Sequence, residues 1–181
     1  MLLWQRLSSL VQAADIDLSD CHPDHPYIYI NIDQQLLSLV RPDSMSVQSY
    51  AVSTSRLGPG QQINSYKTPL GIHKIARKIG QGEPLGRVFK ARIATDQLSY
   101  AEDYQGEQDV ISSRILWLQG LQPGYNQGAD VDTYDRYIYI HGTPDEARIG
   151  QPVSQGCIRM KNHQVIELFD LVHENDLVII E

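Results

Sequence analysis

Tyr137-Ile138-Tyr139-Ile140-His141-Gly142-Thr143, followed a short way on by Ser154-Gln155-Gly156-Cys157-Ile158-Arg159-Met160, is the most informative stretch of this chain. Tyr137 to Ile140 are alternately aromatic and β-branched, which predicts a short buried strand ending on His141-Gly142. Cys157 stands directly after a glycine, in a loop that leads toward a helix. Acyl transfer at a cysteine needs a thiolate, a base for its proton and N–H donors for the developing oxyanion. A free cysteine titrates at about 8.5, so a neighbouring imidazolium has to lower it for useful thiolate at neutral pH. His141, at a strand end, supplies that neighbour if the two elements lie side by side. Gly156 leaves its backbone unobstructed, so the N–H groups of Gly156 and Cys157 are the expected oxyanion donors. Losing one such donor typically costs roughly 3 kcal/mol of transition-state stabilisation. On residue types alone, a buried structural cysteine and a capping histidine stand beside this reading as an equal alternative.

Outward from that stretch the chain reads as a series of short strands. Tyr27 to Ile32, Leu36 to Val40 after a turn at Asp33-Gln34-Gln35, Val47 to Val52, Ile72 to Ile79 and Ile111 to Leu118 carry strand-like composition or alternation, and Leu177 to Ile180 closes the series. Ser53 to Pro69 is dense in breakers and ends in Thr68-Pro69-Leu70-Gly71, a loop with specific turn chemistry. Thr95 to Asp109 is polar and weakly periodic and reads as a surface excursion or lid. From Asn162, taken as an N-cap, Val165, Ile166, Phe169 and Val172 trace one helical face. Leu3, Leu7, Leu10 and Val11 suggest a leading amphipathic helix. The expected architecture is mainly β (a β-rich α+β fold), divided into a helix and connector over 1–26 and a catalytic domain over 27–181.

The chain has 181 residues, formal net charge −7 and 41% hydrophobic residues, which suits a soluble globular protein with its own core. That charge argues against general binding to nucleic acid or an anionic membrane surface. Cys21 and Cys157 are too few for a disulfide framework. Met1 to Val11 lacks a basic n-region and is interrupted by Gln5 and Arg6, so it does not read as an export signal, and a cytoplasmic location is the expectation. No Walker sequence or dinucleotide fingerprint occurs, and no cofactor is expected.

Ile140-His141-Gly142-Thr143 with Ser154-Gln155-Gly156-Cys157-Ile158-Arg159-Met160 resembles the signature of the L,D-transpeptidase catalytic domain, the YkuD domain. Ser65-Tyr66-Lys67-Thr68-Pro69-Leu70-Gly71 resembles the Thr-Pro-x-Gly loop of the same family. The resemblance covers roughly Tyr27 to the C-terminus. It implies a sandwich-like arrangement of short strands, with the cysteine in a groove under a mobile lid. It implies activity on peptidoglycan stem peptides, with attack at the carbonyl of the diamino acid preceding a terminal D-alanine. Carried over, Cys157 is the nucleophile, His141 the base, and the Gly142 carbonyl orients the imidazole. Ser154, Gln155 and Arg159 fall at the signature's other polar positions, and Arg159 is expected to hold a substrate carboxylate, since guanidinium forks match carboxylates. Many members carry a histidine where this chain has Gln155.

The signal-less members that this chain resembles hydrolyse the diaminopimelate–D-alanine bond of recovered tetrapeptide. The leading expectation is therefore a cytoplasmic L,D-carboxypeptidase of peptidoglycan recycling, acting on murein tetrapeptide and open to a covalent carbapenem adduct. Cross-linking or D-amino acid exchange is the alternative, and a non-catalytic muropeptide sensor the second. Oligomeric state is left open. His73 and Arg114 are secondary substrate-binding candidates, each with a structural reading beside it. Tyr100, Tyr104 and Tyr125 could line a lid. Glu102, Asp103, Glu107 and Asp109 read as a solvated acidic face. Cys21-His22-Pro23-Asp24-His25 is too cramped for a tetrahedral metal set and reads as a solvated turn.

Overall fold

The structure is a computed structural model that describes residues 25–106 and 109–181. The leading helix and Cys21 to Asp24 lie outside the described residues. The protein is mainly β, as expected. Ten strands join one curled sheet: β1 (Tyr27–Asn31), β2 (Leu36–Arg41), β3 (Ser46–Ala51), β4 (Gly71–Ile79), β5 (Arg87–Lys90), β6 (Ile93–Leu98), β7 (Ile111–Gly120), β8 (Tyr139–Thr143), β9 (Ile158–Lys161) and β10 (Leu177–Ile180). Their order is β3-β2-β1-β10-β4-β7-β5-β6, with β8 on β7 and β9 on β8. Most neighbours are antiparallel. The two parallel pairs are β1 with β10 and β8 with β9.

The strands β5 and β6 were not apparent in the sequence. Arg87–Lys90 is short, and Ile93–Leu98 exposes most of its side chains, so neither shows a buried alternation. Part of the expected lid is thus strand β6, followed by a single 3-10 turn at Ala101–Asp103.

The helix α1 (Asn162–Leu171) packs Val165, Leu168 and Phe169 against Leu116, Leu118, Ile140, Ile158 and Met160 in the main core. Leu168 is buried where Ile166, expected on that face, is only half-buried. Asn162 is also not the N-cap. It is the first helical residue, and its backbone N–H donates to the Glu146 carboxylate at 2.8 Å. Its buried side chain accepts from the hydroxyls of Ser112 and Ser113 at 2.7 and 2.6 Å and donates to the Thr143 carbonyl at 3.2 Å. One amide thereby ties β7, the end of β8 and the start of α1. At the other helix end Lys78 Nζ donates to the Phe169 and Val172 carbonyls at 2.6 and 2.5 Å, satisfying groups that a helix C-terminus leaves open.

The opposite face of β7 and β8 carries a second, aromatic cluster. Trp117 stacks on Tyr134 at 4.1 Å and meets Tyr139 edge-on at 5.5 Å, with Phe89, Ile115 and part of Cys157 packed alongside. A bulge between Ser112 and Ile115 bends β7 where it pairs with His141 and Gly142.

Candidate active site

Strands β8 and β9 run parallel, with Ile140 opposite Ile158 and His141 opposite Arg159. Cys157, one residue before β9, therefore lies beside Tyr139, whose N–H donates to its Sγ at 3.4 Å. The thiol itself donates to the Tyr137 carbonyl at 3.5 Å. Side chains alternate along a strand, so Tyr139 and His141 share the face on which the sulfur sits. By that register the Cys157 sulfur and the His141 imidazole belong to one face of the β8–β9 pair, two positions apart. The imidazole is almost wholly buried, and its Nδ1 lies 2.8 Å from the Gly142 carbonyl. A carbonyl can only accept, so Nδ1 carries the proton and Nε2 keeps its lone pair.

Burial favours the neutral form of both groups. Burial pushes the Cys157 thiol up to about 12 and the Asp109 carboxylate adds to the rise, against the Tyr139 N–H, Arg159 and Arg136, which lower it. Burial likewise lowers His141, opposed by Asp109 and by the Gly142 hydrogen bond. The imidazolium–thiolate pair expected from residue types is therefore not the ground state.

The loop before the cysteine is fixed by its neighbours. Ser154 is fully buried; its hydroxyl donates to the Cys157 carbonyl at 2.6 Å and accepts the Gly156 N–H at 3.2 Å. The Thr68 hydroxyl donates to the Gly156 carbonyl at 3.0 Å and accepts the Ser55 N–H, so the Thr68-Pro69-Leu70-Gly71 loop braces the nucleophile directly. Gly156 has φ of +120°, outside the range an L side chain readily adopts. Gly142 is constrained by space instead: a Cβ there would run into the Ser112 carbonyl and the Asn162 Oδ1.

Cys157 opens onto a cleft of about 310 Å³ lined by Ile63, Tyr66, Asp135, Arg136, Tyr137 and Gln155 among others. Tyr66 and Tyr137 hold left-handed φ angles of 57°, a strain of order 1–2 kcal/mol each of the kind that collects at functional sites. Arg136 is the cleft's cation. Its guanidinium donates to the carbonyls of Gly60 at 3.2 Å and Lys67 at 2.6 Å and to the Ser65 hydroxyl at 3.4 Å. Among the described residues these partners are all uncharged. Arg136 is not among the residues nominated from the sequence, although it stands just before the strand that carries His141.

Several nominated substrate residues are placed differently. Arg159 is buried and paired with Asp109 at 2.7 Å and Asp145 at 3.4 Å, so its charge is already answered within the chain. Asp109 stays exposed, as expected, and also partners Arg159. Ser154 faces its own loop, and the Gly156 N–H is taken by Ser154, which leaves Cys157 as the nominated oxyanion donor. His73 is fully buried in β4, with Nδ1 on the Gly71 carbonyl at 3.1 Å and Nε2 at the Thr133 hydroxyl at 3.2 Å. Arg114 is buried on the helix side of β7, over the Phe169 ring and donating to the Glu83 and Ser113 carbonyls. Neither His73 nor Arg114 is among the residues lining the cleft. Of the nominated substrate residues only Gln155 does so, and it is exposed. Tyr66 and Tyr137, rather than Tyr100, Tyr104 and Tyr125, are the cleft's tyrosines.

Fold and site together define a class: β-rich proteins with a thiol and an imidazole on one sheet face beside an open cleft. The family model of the L,D-transpeptidase catalytic domain (YkuD) matches residues 25–180, and the chain belongs to that family. Two proteins of Bacillus subtilis (strain 168) that carry L,D-transpeptidase in their names are similar over short stretches. YqjB is 44% identical over 54 residues, 29% of this chain and 31% of its own length. YkuD is 54% identical over 41 residues, 23% of this chain and 25% of its own length. The chain thus aligns with less than a third of either relative. Among solved structures, the L,D-transpeptidase LdtMt1 in complex with imipenem matches with a TM-score of 0.52 at 17% identity, over 87% of this chain and 59% of that one. L,D-transpeptidase 3 of Mycobacterium tuberculosis in complex with a faropenem-derived adduct gives 0.53 at 14%, over 86% and 60%. These two likenesses are of fold. Among the described residues no helix is long and apolar enough to cross a membrane.

Proposed function

We propose that this protein is a cysteine-dependent L,D-carboxypeptidase that removes the terminal D-alanine from peptidoglycan tetrapeptide, with Cys157 as nucleophile and His141 as base. The observation that carries the reading is Cys157 at the cleft, on the sheet face it shares with His141, whose buried imidazole is oriented through Nδ1 by the Gly142 carbonyl. His141 Nε2 takes the thiol proton as Sγ adds to the carbonyl of the diamino acid. The Cys157 N–H receives the oxyanion, and the Tyr139 N–H stabilises negative charge on sulfur. Collapse breaks the C–N bond, and the proton on Nε2 passes to the departing D-alanine amine. Water then attacks the thioester, giving its proton to Nε2, and the thiol is restored with that proton as the tripeptide leaves.

Water as acceptor is supported by the dimensions and charge of the cleft. A volume of about 310 Å³ suits one peptide end rather than two stem peptides. Arg136 beside the thiol offers a fixed cation for the carboxylate of the leaving D-alanine, and Asp135 an anion for the amino group of the diamino acid. The recycling role and the cytoplasmic setting belong to the same proposal.

Incubation of the purified protein with murein tetrapeptide should release D-alanine, and Cys157→Ala should not. If only exchange with added D-amino acids or dimer formation appears, the protein is a transpeptidase. If tetrapeptide binds without turnover and a carbapenem leaves no mass shift on Cys157, it is a sensor.

A further inference from the structure

Away from Cys157, three chain segments bring ligand-type atoms together. His25 precedes β1, His173 follows α1 and Asp176 precedes β10. His25 Nδ1 lies 3.3 Å from Asp176 Oδ1, His173 Nδ1 lies 3.8 Å from Asp176 Oδ2, and the three groups offer atoms all within 4.8 Å of one another. Asp176 is fully buried and held in place by the His173 N–H, which donates to Oδ2 at 2.7 Å. The two imidazole side chains are 44% and 67% exposed, and their rings sit 5.8 Å apart at 59°. The buried carboxylate thus lies against two partly exposed imidazoles.

We propose that His25, His173 and Asp176 bind a transition-metal dication of borderline softness, zinc being the expected occupant. Zinc bonds to imidazole nitrogen and carboxylate oxygen are about 2.0–2.2 Å long, so tetrahedral ligands stand roughly 3.3–3.6 Å apart. The His25–Asp176 spacing already meets that separation, while the three ligand atoms as a set span up to 4.8 Å, so the exposed His173 ring must swing inward by about an ångström. Two imidazoles and one carboxylate select zinc, cobalt or nickel over magnesium and calcium, which prefer all-oxygen sets. A dication also answers a buried carboxylate more fully than hydrogen bonds from two imidazoles. Among the described residues the group comprises these three ligands, and water would complete the set. The ion would join the segment entering β1 to the turn entering β10, so its effect is on stability and is separate from the peptidase chemistry.

The test uses the full chain in a Cys157→Ala background, which removes a competing thiol, after treatment with a chelator. Calorimetric titration with zinc should give one ion per chain. Saturating zinc should raise Tm by several degrees, by the linkage that stabilises any ligand-binding native state, while magnesium does not. His173→Ala alters a largely exposed side chain, so it should fold with unchanged Tm in chelator and weaken zinc by about a hundredfold or more. Cobalt should give a visible d–d spectrum without a thiolate charge-transfer band, which separates this site from Cys21. The proposal is overturned if zinc leaves Tm unmoved, if His173→Ala binds as tightly as the parent, or if the cobalt complex shows thiolate ligation.

Discussion

A thiol that rests protonated beside a neutral imidazole sets the reactivity of residue 157. Because burial holds Cys157 high and His141 low, the ultraviolet absorbance of a thiolate should not develop between about pH 6 and 9 in the free protein, with Cys157→Ala as the baseline. A thiolate signal near neutrality would mean an ion pair at rest. Arg136 acts on the substrate instead. Arg136→Gln should lower kcat/KM for tetrapeptide roughly ten- to a hundredfold, the worth of a charge-assisted hydrogen bond, with Arg136→Lys recovering part of it. The same substitution should reduce the ratio of iodoacetate to iodoacetamide alkylation at Cys157. Both reagents see the same thiol, so the ratio reports the nearby cation alone. An unchanged ratio would remove Arg136 from carboxylate recognition whatever the peptide assay shows.

At the scale of elements, the site depends on how β7, β8 and α1 are locked together. Gly142 lies against the Ser112 carbonyl, Asn162 and Val165, so Gly142→Ala should cost about 1–3 kcal/mol or more in denaturant unfolding, although it removes no interaction. Asn162→Ala leaves the hydroxyls of Ser112 and Ser113 and the Thr143 carbonyl without their partner, at roughly 1–3 kcal/mol for each buried group left unsatisfied. It should also slow turnover, since the start of α1 backs the end of β8. What could be read from the sequence follows the same division. Continuous apolar runs, such as Ile115 to Leu118 within β7 and Leu177–Ile180, announce themselves, as does a cysteine directly after a glycine. β5 and β6 do not, because their partners rather than their own side chains make them strands. Arg159 illustrates the limit for sites. A guanidinium beside a nucleophile invites a substrate, and only tertiary contact reveals Asp109 and Asp145 already bound to it. Arg136 is the converse, since its uncharged partners come from the distant loop at residues 60–67.

For the whole molecule, two buried neutral imidazoles link folding to pH. His73 is lowered to about 4 by burial, and His141 is lowered by the same cause. Above the ordinary imidazole value of about 6.5, folded and unfolded chains both carry these rings neutral, and nothing is lost. Below it the unfolded chain takes up protons that the folded chain refuses, so stability falls as pH drops from about 6.5 toward 4. The slope is up to ~1.4 kcal/mol per pH unit for each ring. For His73 the loss levels off near 4, where the folded ring itself charges. Urea midpoints measured across that interval should decline, and His73→Gln should decline less steeply. A flat profile would mean that these rings are already charged in the fold.

The placement of β10 between β1 and β4 bears on how the chain is made. The Tyr29 hydroxyl reaches the Glu181 carboxylate across 152 positions of sequence, and on that side Ile28 to Ile30 pair with Val178 to Ile180. As the ribosome delivers the polypeptide, the meander β1–β2–β3 must wait with one edge bare for nearly the entire length of the domain. Closure of the sheet's centre therefore waits for residues 177–180, and a nascent chain halted before residue 177 should be held by chaperones rather than accumulate in native form.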